Sequence, residues 1–176
     1  MPGTAPSTRR YHVTLAAFTI LTLLYLILIG WTHFRMPETI PVHFNGAGDA
    51  DRWSSKGEFT AIMGVIGLLM FFVFAGTAVS FHRIPNRYWN LPNRDYWLAD
   101  DRREETIATL NVYYLAMGIA TLVLLLYVHW GVYQVAMEMR ETLSLRIGDI
   151  VMFLLLIAVL CYLLVRRFWR VPEAGT

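Results

Sequence analysis

Four long apolar runs constrain this chain more than any other feature. They cover residues 13–31, 59–81, 107–130 and 147–165. Each is close to the ~20 residues that a helix needs to cross a hydrocarbon core. A soluble four-helix bundle would need a polar stripe on every helix, and the stretches 21–29 and 151–160 have none. Over half of the 176 residues are hydrophobic, concentrated in these runs. The expected fold is therefore all-α: a four-span transmembrane helix bundle, with residues 1–176 forming one integral membrane domain. The first run exceeds the 7–15 residues of a signal-peptide core and no Ala-x-Ala site follows it, so it reads as an uncleaved anchor. A net charge of +2 without a basic cluster argues against nucleic acid as a partner. The single Cys161 lies in an apolar run and reads as a packing residue.

Lys and Arg set the expected orientation. Arg9, Arg10, Arg83, Arg87, Arg94, Arg102, Arg103, Arg166, Arg167 and Arg170 make ten on one side. Arg35, Arg52, Lys56, Arg140 and Arg146 make five on the other. The richer side marks the cytoplasm, which puts both termini inside a multi-pass cytoplasmic-membrane protein, residues 32–58 outside, and residues 82–106 inside. Trp31, Trp130, Phe168 and Trp169 fall at span ends, where aromatic belts lie.

Residues 32–58 are long for a loop without regular structure, and such loops are usually functional or disordered. Ile40, Val42, Phe44 and Trp53 argue for order. The alternation of Ile40, Val42 and Phe44 with Pro41, His43 and Asn45 is strand-like. Pro37 and Pro41 favour extended backbone before them, Asn45-Gly46 and Gly48-Asp49 are turn chemistry, and Ser55-x-x-Glu58 is a capping box for the second span. The expectation is an extended arm, a tight turn, and a return into a capped helix. Around that turn His43, Asn45, Asp51, Trp53 and Lys56 are the candidate ligand-binding residues. His43, Asp49 and Asp51 are a candidate divalent-metal set, with His33 and Glu38 as further donors. The competing reading is that Asn and Asp cap turns while His43 bonds a backbone carbonyl. No strong metal motif is present, and no cofactor is expected.

The pattern Pro-x-x-Ile-Pro-x-His-Phe-Asn-x-x-Gly-x-x-Asp-x-Trp-x-Ser-Lys over residues 37–56 resembles the signature of the SdpI-like family of bacterial membrane proteins. The resemblance runs through the first span, the loop and the start of the second span. It implies a multi-pass bacterial membrane protein carrying a module of unknown biochemical function. In the immunity proteins of that family it also implies protection against a secreted toxic peptide and signalling through a membrane-recruited repressor. This chain lacks their longer C-terminal membrane portion.

The inner loop holds an echo, Ile-Pro-Asn-Arg-Tyr-Trp followed by Leu-Pro-Asn-Arg-Asp-Tyr-Trp. Each Pro-Asn pair suggests a turn. Tyr88, Trp89, Asn93, Arg94, Tyr96 and Trp97 suit either a headgroup anchor or a partner-binding surface. Asp101 and Glu104 read as an Asp-x-x-Glu capping box for the third span. Within the spans, His12 and His129 lie near ends where they reach water. Asp149 is placed to pair with His129 or Arg146, or to face His43. Asn111 reads as inter-helix glue, and Gly76-x-x-x-Ser80 and Ala116-x-x-x-Ala120 as close-packing sites.

No nucleotide loop, nucleophile elbow, Cys/His array or His-Glu-x-x-His occurs, so an enzyme is disfavoured. The leading expectation is an accessory, sensor or immunity-like membrane factor acting through its outer loop. The alternatives are a membrane enzyme or metal-binding protein using His43 and Asp51, and an accessory subunit of a larger complex. Expected partners are the lipid bilayer, a membrane protein or second copy, and a peptide or lipid ligand.

Overall fold

The computed structural model describes residues 6–143 and 145–171. Its frame is four helices, each long and apolar enough to cross a membrane: α1 (Pro6–His33), α2 (Lys56–Arg83), α3 (Arg103–Ala136) and α4 (Ile147–Trp169). In hydrocarbon every backbone polar group must be bonded internally, which leaves helices as the solution for runs of this composition. Strands β1 (Thr39–Phe44) and β2 (Ala50–Ser55) form an antiparallel hairpin between α1 and α2. The hairpin and residues 137–146 cap one end of the bundle. Residues 84–102 cap the other, at the end where α4 finishes.

The helices overrun the apolar stretches, most of all α3. Its 34 residues would measure about 51 Å along the axis, well beyond a ~30 Å core. The connection expected over residues 131–146 is therefore helical as far as Ala136, and the true link is residues 137–146. The start of α3 also departs from expectation. Arg102 is the cap residue and no side chain caps it. Asp101 instead pairs with Arg102 at 3.0 Å, and the chain winds in through Arg103 N–H to the Ala99 carbonyl at 2.9 Å.

α1 and α3 run in the same direction and form the spine. The buried positions on α1 are Ser7, Tyr11, Phe18, Thr22, Tyr25, Ile29 and Thr32, which from Phe18 onward alternate in steps of four and three. On α3, Ala108, Asn111, Leu115, Gly118, Leu122, His129 and Val132 keep the same rhythm. This is the spacing of a knobs-into-holes seam. α2 closes the groove on one side with a wide π turn over Phe72–Gly76. There Phe74 lies 4.8 Å from Tyr114 and 5.8 Å from Phe18, centroid to centroid.

Close helix approach occurs at Gly67 and Gly118 and not at Gly76 of the expected Gly76–Ser80 pair. A Cβ at Gly76 would meet nothing within 4 Å, whereas one at Gly67 would lie 2.5 Å from the Tyr25 ring and one at Gly118 2.8 Å from Phe74. Ser80 donates to the Gly76 carbonyl of its own helix. Asn111 does act as glue, donating to the Ala78 carbonyl of α2 at 3.0 Å.

α4 stands apart. It touches α3, yet its only buried residue is Phe168 at its end. The loop at that end holds it: Trp97 Nε1 donates to the Phe168 carbonyl at 2.8 Å, and Asn93 Nδ2 donates to the Trp169 carbonyl at 2.8 Å. Asn93 sits in the left-handed region at φ 51°, a conformation asparagine tolerates, which fits the expected turn.

Candidate functional site

The hairpin is irregular in a way that matters for its chemistry. Pairing runs Thr39–Ser55, Ile40–Ser54, Pro41–Trp53, then His43–Arg52 and Phe44–Ala50. Val42 is thus the extra residue on β1 and Asp51 the extra residue on β2. Bulges of this kind re-aim side chains. Asp51, the extra residue of β2, lies beside His43, with Nδ1 2.5 Å from Oδ1. The two side chains are about half exposed. With Nδ1–H donating to the carboxylate, the imidazole is held in one orientation and its Nε2 is left as the outward nitrogen. Trp53, on the exposed strand, leaves 56% of its surface open. His43 therefore bonds a carboxylate and not the backbone carbonyl considered from sequence.

The neighbouring candidates are structural. Asn45 Oδ1 accepts the N–H of Ala47 at 2.8 Å and of Asp49 at 3.0 Å, while Asn45 Nδ2 donates to Asp49 Oδ2 at 3.2 Å. This Asx turn keeps Asp49 at the tip, and among the described residues no three His, Cys, Asp or Glu side chains gather as a metal site. Lys56 closes the base of the hairpin. Its ammonium pairs with Glu38 at 2.9 Å and its N–H donates to the Glu38 carbonyl at 2.9 Å. The pairing and hydrogen bond with Lys56 hold the Glu38 carboxyl below its ordinary range. His33 is engaged by Thr60 Oγ1 at 3.0 Å. Ser55 caps α2 as expected, accepting the Glu58 N–H at 3.1 Å, but the Glu58 carboxylate takes the Ser54 hydroxyl and not the cap backbone.

The hairpin is seated at two points. Ile40 packs with Met36, Phe59, Val132 and Tyr133 beneath it. At the tip, Gly48 lies against residues 137–146 and its carbonyl accepts the Leu143 N–H at 2.8 Å. Gly48 has φ +90°, and a Cβ there would lie 2.6 Å from the Leu143 carbonyl oxygen. Glycine is required twice over at this position, by the turn and by the backbone contact.

His129 lies under this cap and is fully buried, contrary to the expectation that it reaches water. α3 continues past it and Phe59 stacks on its ring, with centroids 5.5 Å apart. Its Nε2 is 2.8 Å from Thr32 Oγ1, whose own hydroxyl donates to the Ile29 carbonyl. Nε2 therefore carries the proton and Nδ1 has no partner. Asp149 meets neither His129 nor His43. Its Oδ2 accepts the Arg146 N–H at 2.8 Å, so Arg146 is met through its backbone, and lies 3.5 Å from the Tyr127 hydroxyl. The seam rhythm on α3 was the sequence signal that would have placed His129 inside.

At the other end, Tyr88 is exposed under the Arg87 guanidinium, and Arg102 lies over Tyr96 at 4.2 Å. Arg94 pairs with Asp95 at 3.1 Å and Trp89 Nε1 donates to the Ile84 carbonyl. Buried Trp97 and exposed Asn93 tether α4. Arg103 binds this loop together through Asn86 Oδ1 and the carbonyls of His82 and Ile84, a role its sequence context did not suggest.

Residues 20–68 match the family model of a domain of unknown function, DUF1648. The match takes in the second half of α1, the whole hairpin and about the first half of α2, so it coincides with the hairpin just described and the helix halves that carry it. The match and the four apolar helices together describe a membrane protein whose activity the family does not define. No curated protein and no solved structure matches the chain.

Proposed function

We propose that this protein is an accessory or sensor factor of the bacterial cytoplasmic membrane, immunity-like in binding an extracytoplasmic ligand through its hairpin. The observation that carries this reading is the exposed trio His43, Asp51 and Trp53 on the hairpin. Asn45, Asp49, Lys56 and Glu58 all serve the hairpin itself, whereas these three, with the neighbouring Arg52, stand exposed. A fixed imidazole, a carboxylate and a large aromatic suit recognition of a peptide segment, in which aromatic anchors dominate binding energy. The hairpin's open strand edge also offers backbone groups to an extended peptide. The family resemblance over residues 37–56 and the excess of Arg at the opposite end support placing the hairpin outside and both termini in the cytoplasm.

A photoreactive amino acid at position 53, compared in living cells with the same probe at Leu155 on α4, tests the proposal. A discrete adduct at position 53 that weakens in His43→Ala is expected. Adducts no stronger than those at position 155 would refute it. Thiol labelling of Ala47→Cys with a membrane-impermeant reagent tests the orientation, and protection in intact cells would refute it.

A further inference from the structure

Two clefts flank residues 137–146 at the hairpin end. One, about 410 Å³, opens between α3 and α4 and is lined by Tyr127, Trp130, Gln134 and Asp149. The other, about 690 Å³, lies between the hairpin tip and the start of α4. Arg140 and Arg146 line both. Both side chains are exposed, and among the described residues neither makes an ion pair. The first cleft has one carboxylate, Asp149, turned onto the Arg146 N–H, and the second adds Glu141. Within the first cleft two guanidiniums thus stand against one carboxylate, a net single positive charge. That balance suits a phosphodiester, which carries one negative charge, better than a dianionic phosphomonoester. Paired guanidiniums are well fitted to phosphate oxygens.

The cleft also has the polarity profile of a lipid. Val123, Tyr127, Trp130 and Gln134 succeed each other along one face of α3, passing from apolar through amphipathic to amide. Val123, Tyr127 and Trp130 are substantially exposed, as are Ile147 and Ile150 at the start of α4. Such a stripe offers an acyl chain a path below and a headgroup a seat above. We propose that this cleft binds one phospholipid of the leaflet on the hairpin side, its phosphodiester held by Arg140 and Arg146 and its chain lying between α3 and α4.

Native mass spectrometry of the protein in detergent, titrated with dioleoyl phosphatidylglycerol, tests this. One lipid should stay bound at low stoichiometry, and dioleoylglycerol, which lacks the phosphate, should not. The double variant Arg140→Gln/Arg146→Gln keeps the backbone cap on Asp149 and should bind the phospholipid at least roughly tenfold more weakly. Arg83→Gln, at the other end of the molecule, should bind as the parent does. Equal retention of phospholipid by the double variant would overturn the site. Displacement of the lipid by millimolar glycerol phosphate would overturn the phospholipid as its occupant.

Discussion

The contact between Gly48 and Leu143 allows the sharpest test of how the hairpin is held. Gly48→Ala introduces two faults at one atom. A non-glycine residue at φ +90° costs about 1–3 kcal/mol in backbone strain. The added Cβ would also lie 2.6 Å from the Leu143 carbonyl oxygen, where a carbon–oxygen contact usually settles near 3.3 Å or more. The two backbones must part, and the bond from the Leu143 N–H to the Gly48 carbonyl is lost, for roughly 0.5–1.5 kcal/mol more. The sum, about 1.5–4.5 kcal/mol, falls on seating of the tip because Gly48 takes no part in the helix seam. It corresponds to a roughly 10- to 1,600-fold shift in the opening equilibrium. Hydrogen exchange with mass-spectrometric readout on peptides from residues 137–146, with the protein in nanodiscs, would register it as faster exchange at Leu143. Gly46→Ala is the matched control. A Cβ there meets nothing within 4 Å, so exchange at Leu143 should stay as in the parent. Parental exchange in Gly48→Ala, or an equal rise in Gly46→Ala, would refute the argument.

Thr32→Val removes the one hydrogen-bond partner that the buried His129 ring has among the described residues and should cost about 1–3 kcal/mol, read as a lower midpoint of thermal unfolding in detergent; an unchanged midpoint would contradict the seam layer assigned to these residues. Gly118→Ala places a methyl group 2.8 Å from the Phe74 ring and should destabilise by about 1–3 kcal/mol through overpacking, whereas Gly64→Ala, in open space, should not. Glu38 has its carboxyl held below the ordinary 4.5 by Lys56, so its contribution is present above that unfolded value and is lost as pH falls through the lower folded value. Protease cleavage of the hairpin in nanodiscs should therefore rise on acidification below about pH 4.5 in the parent, and Glu38→Gln should remove the part of that rise due to this pair. Asn93→Ala loses both the left-handed turn and the bond to the Trp169 carbonyl, so residues near Phe168 should exchange faster while those of α1 do not.

The fold was largely legible because hydrocarbon permits so few solutions. Runs of about twenty apolar residues become helices there whatever their finer propensities, and Ser55 and the turn residues at 45–49 acted through local geometry that carries over directly from sequence. The lengths of the helices were less legible. Residues 131–136 include Gly131, Tyr133 and Gln134, and apolarity stops being informative once a helix leaves the core. The close-packing sites were misread for a related reason. Gly76 and Ser80 have the spacing of a packing motif, but the π turn at Phe72–Gly76 rotates that face, and Gly67 and Gly118 take the contacts with no motif around them. Asp101 and Glu104 are the right residues for a cap, yet the Ala99 carbonyl takes the N–H of Arg102 and of Arg103, the first residue of α3, and Asp101 pairs with Arg102.

The candidate site was only half legible, and the reason is chemical. His43, Asn45, Asp49, Asp51 and Lys56 all have side chains that either bind ligands or tie up backbone, and sequence offers no rule for choosing between these uses. The choice depends on where each side chain points, which only the folded hairpin shows. Had the ladder kept its regular register, Arg52 would have stepped on from the Trp53 pair to face Val42, and His43 would have paired with Asp51 across the strands rather than with Arg52. Either register sets Asp51 near the imidazole; what the observed one changes is Arg52, which takes the place opposite His43. Two exposed groups are thus locked to each other while the residues around them are committed to holding the strands together. That division predicts a specific asymmetry: Asn45→Ala should loosen the hairpin, whereas Asp51→Asn should leave its exchange protection unchanged and affect only what the imidazole can bind. Equal loosening by both variants would mean that the His43–Asp51 pair is one more strut.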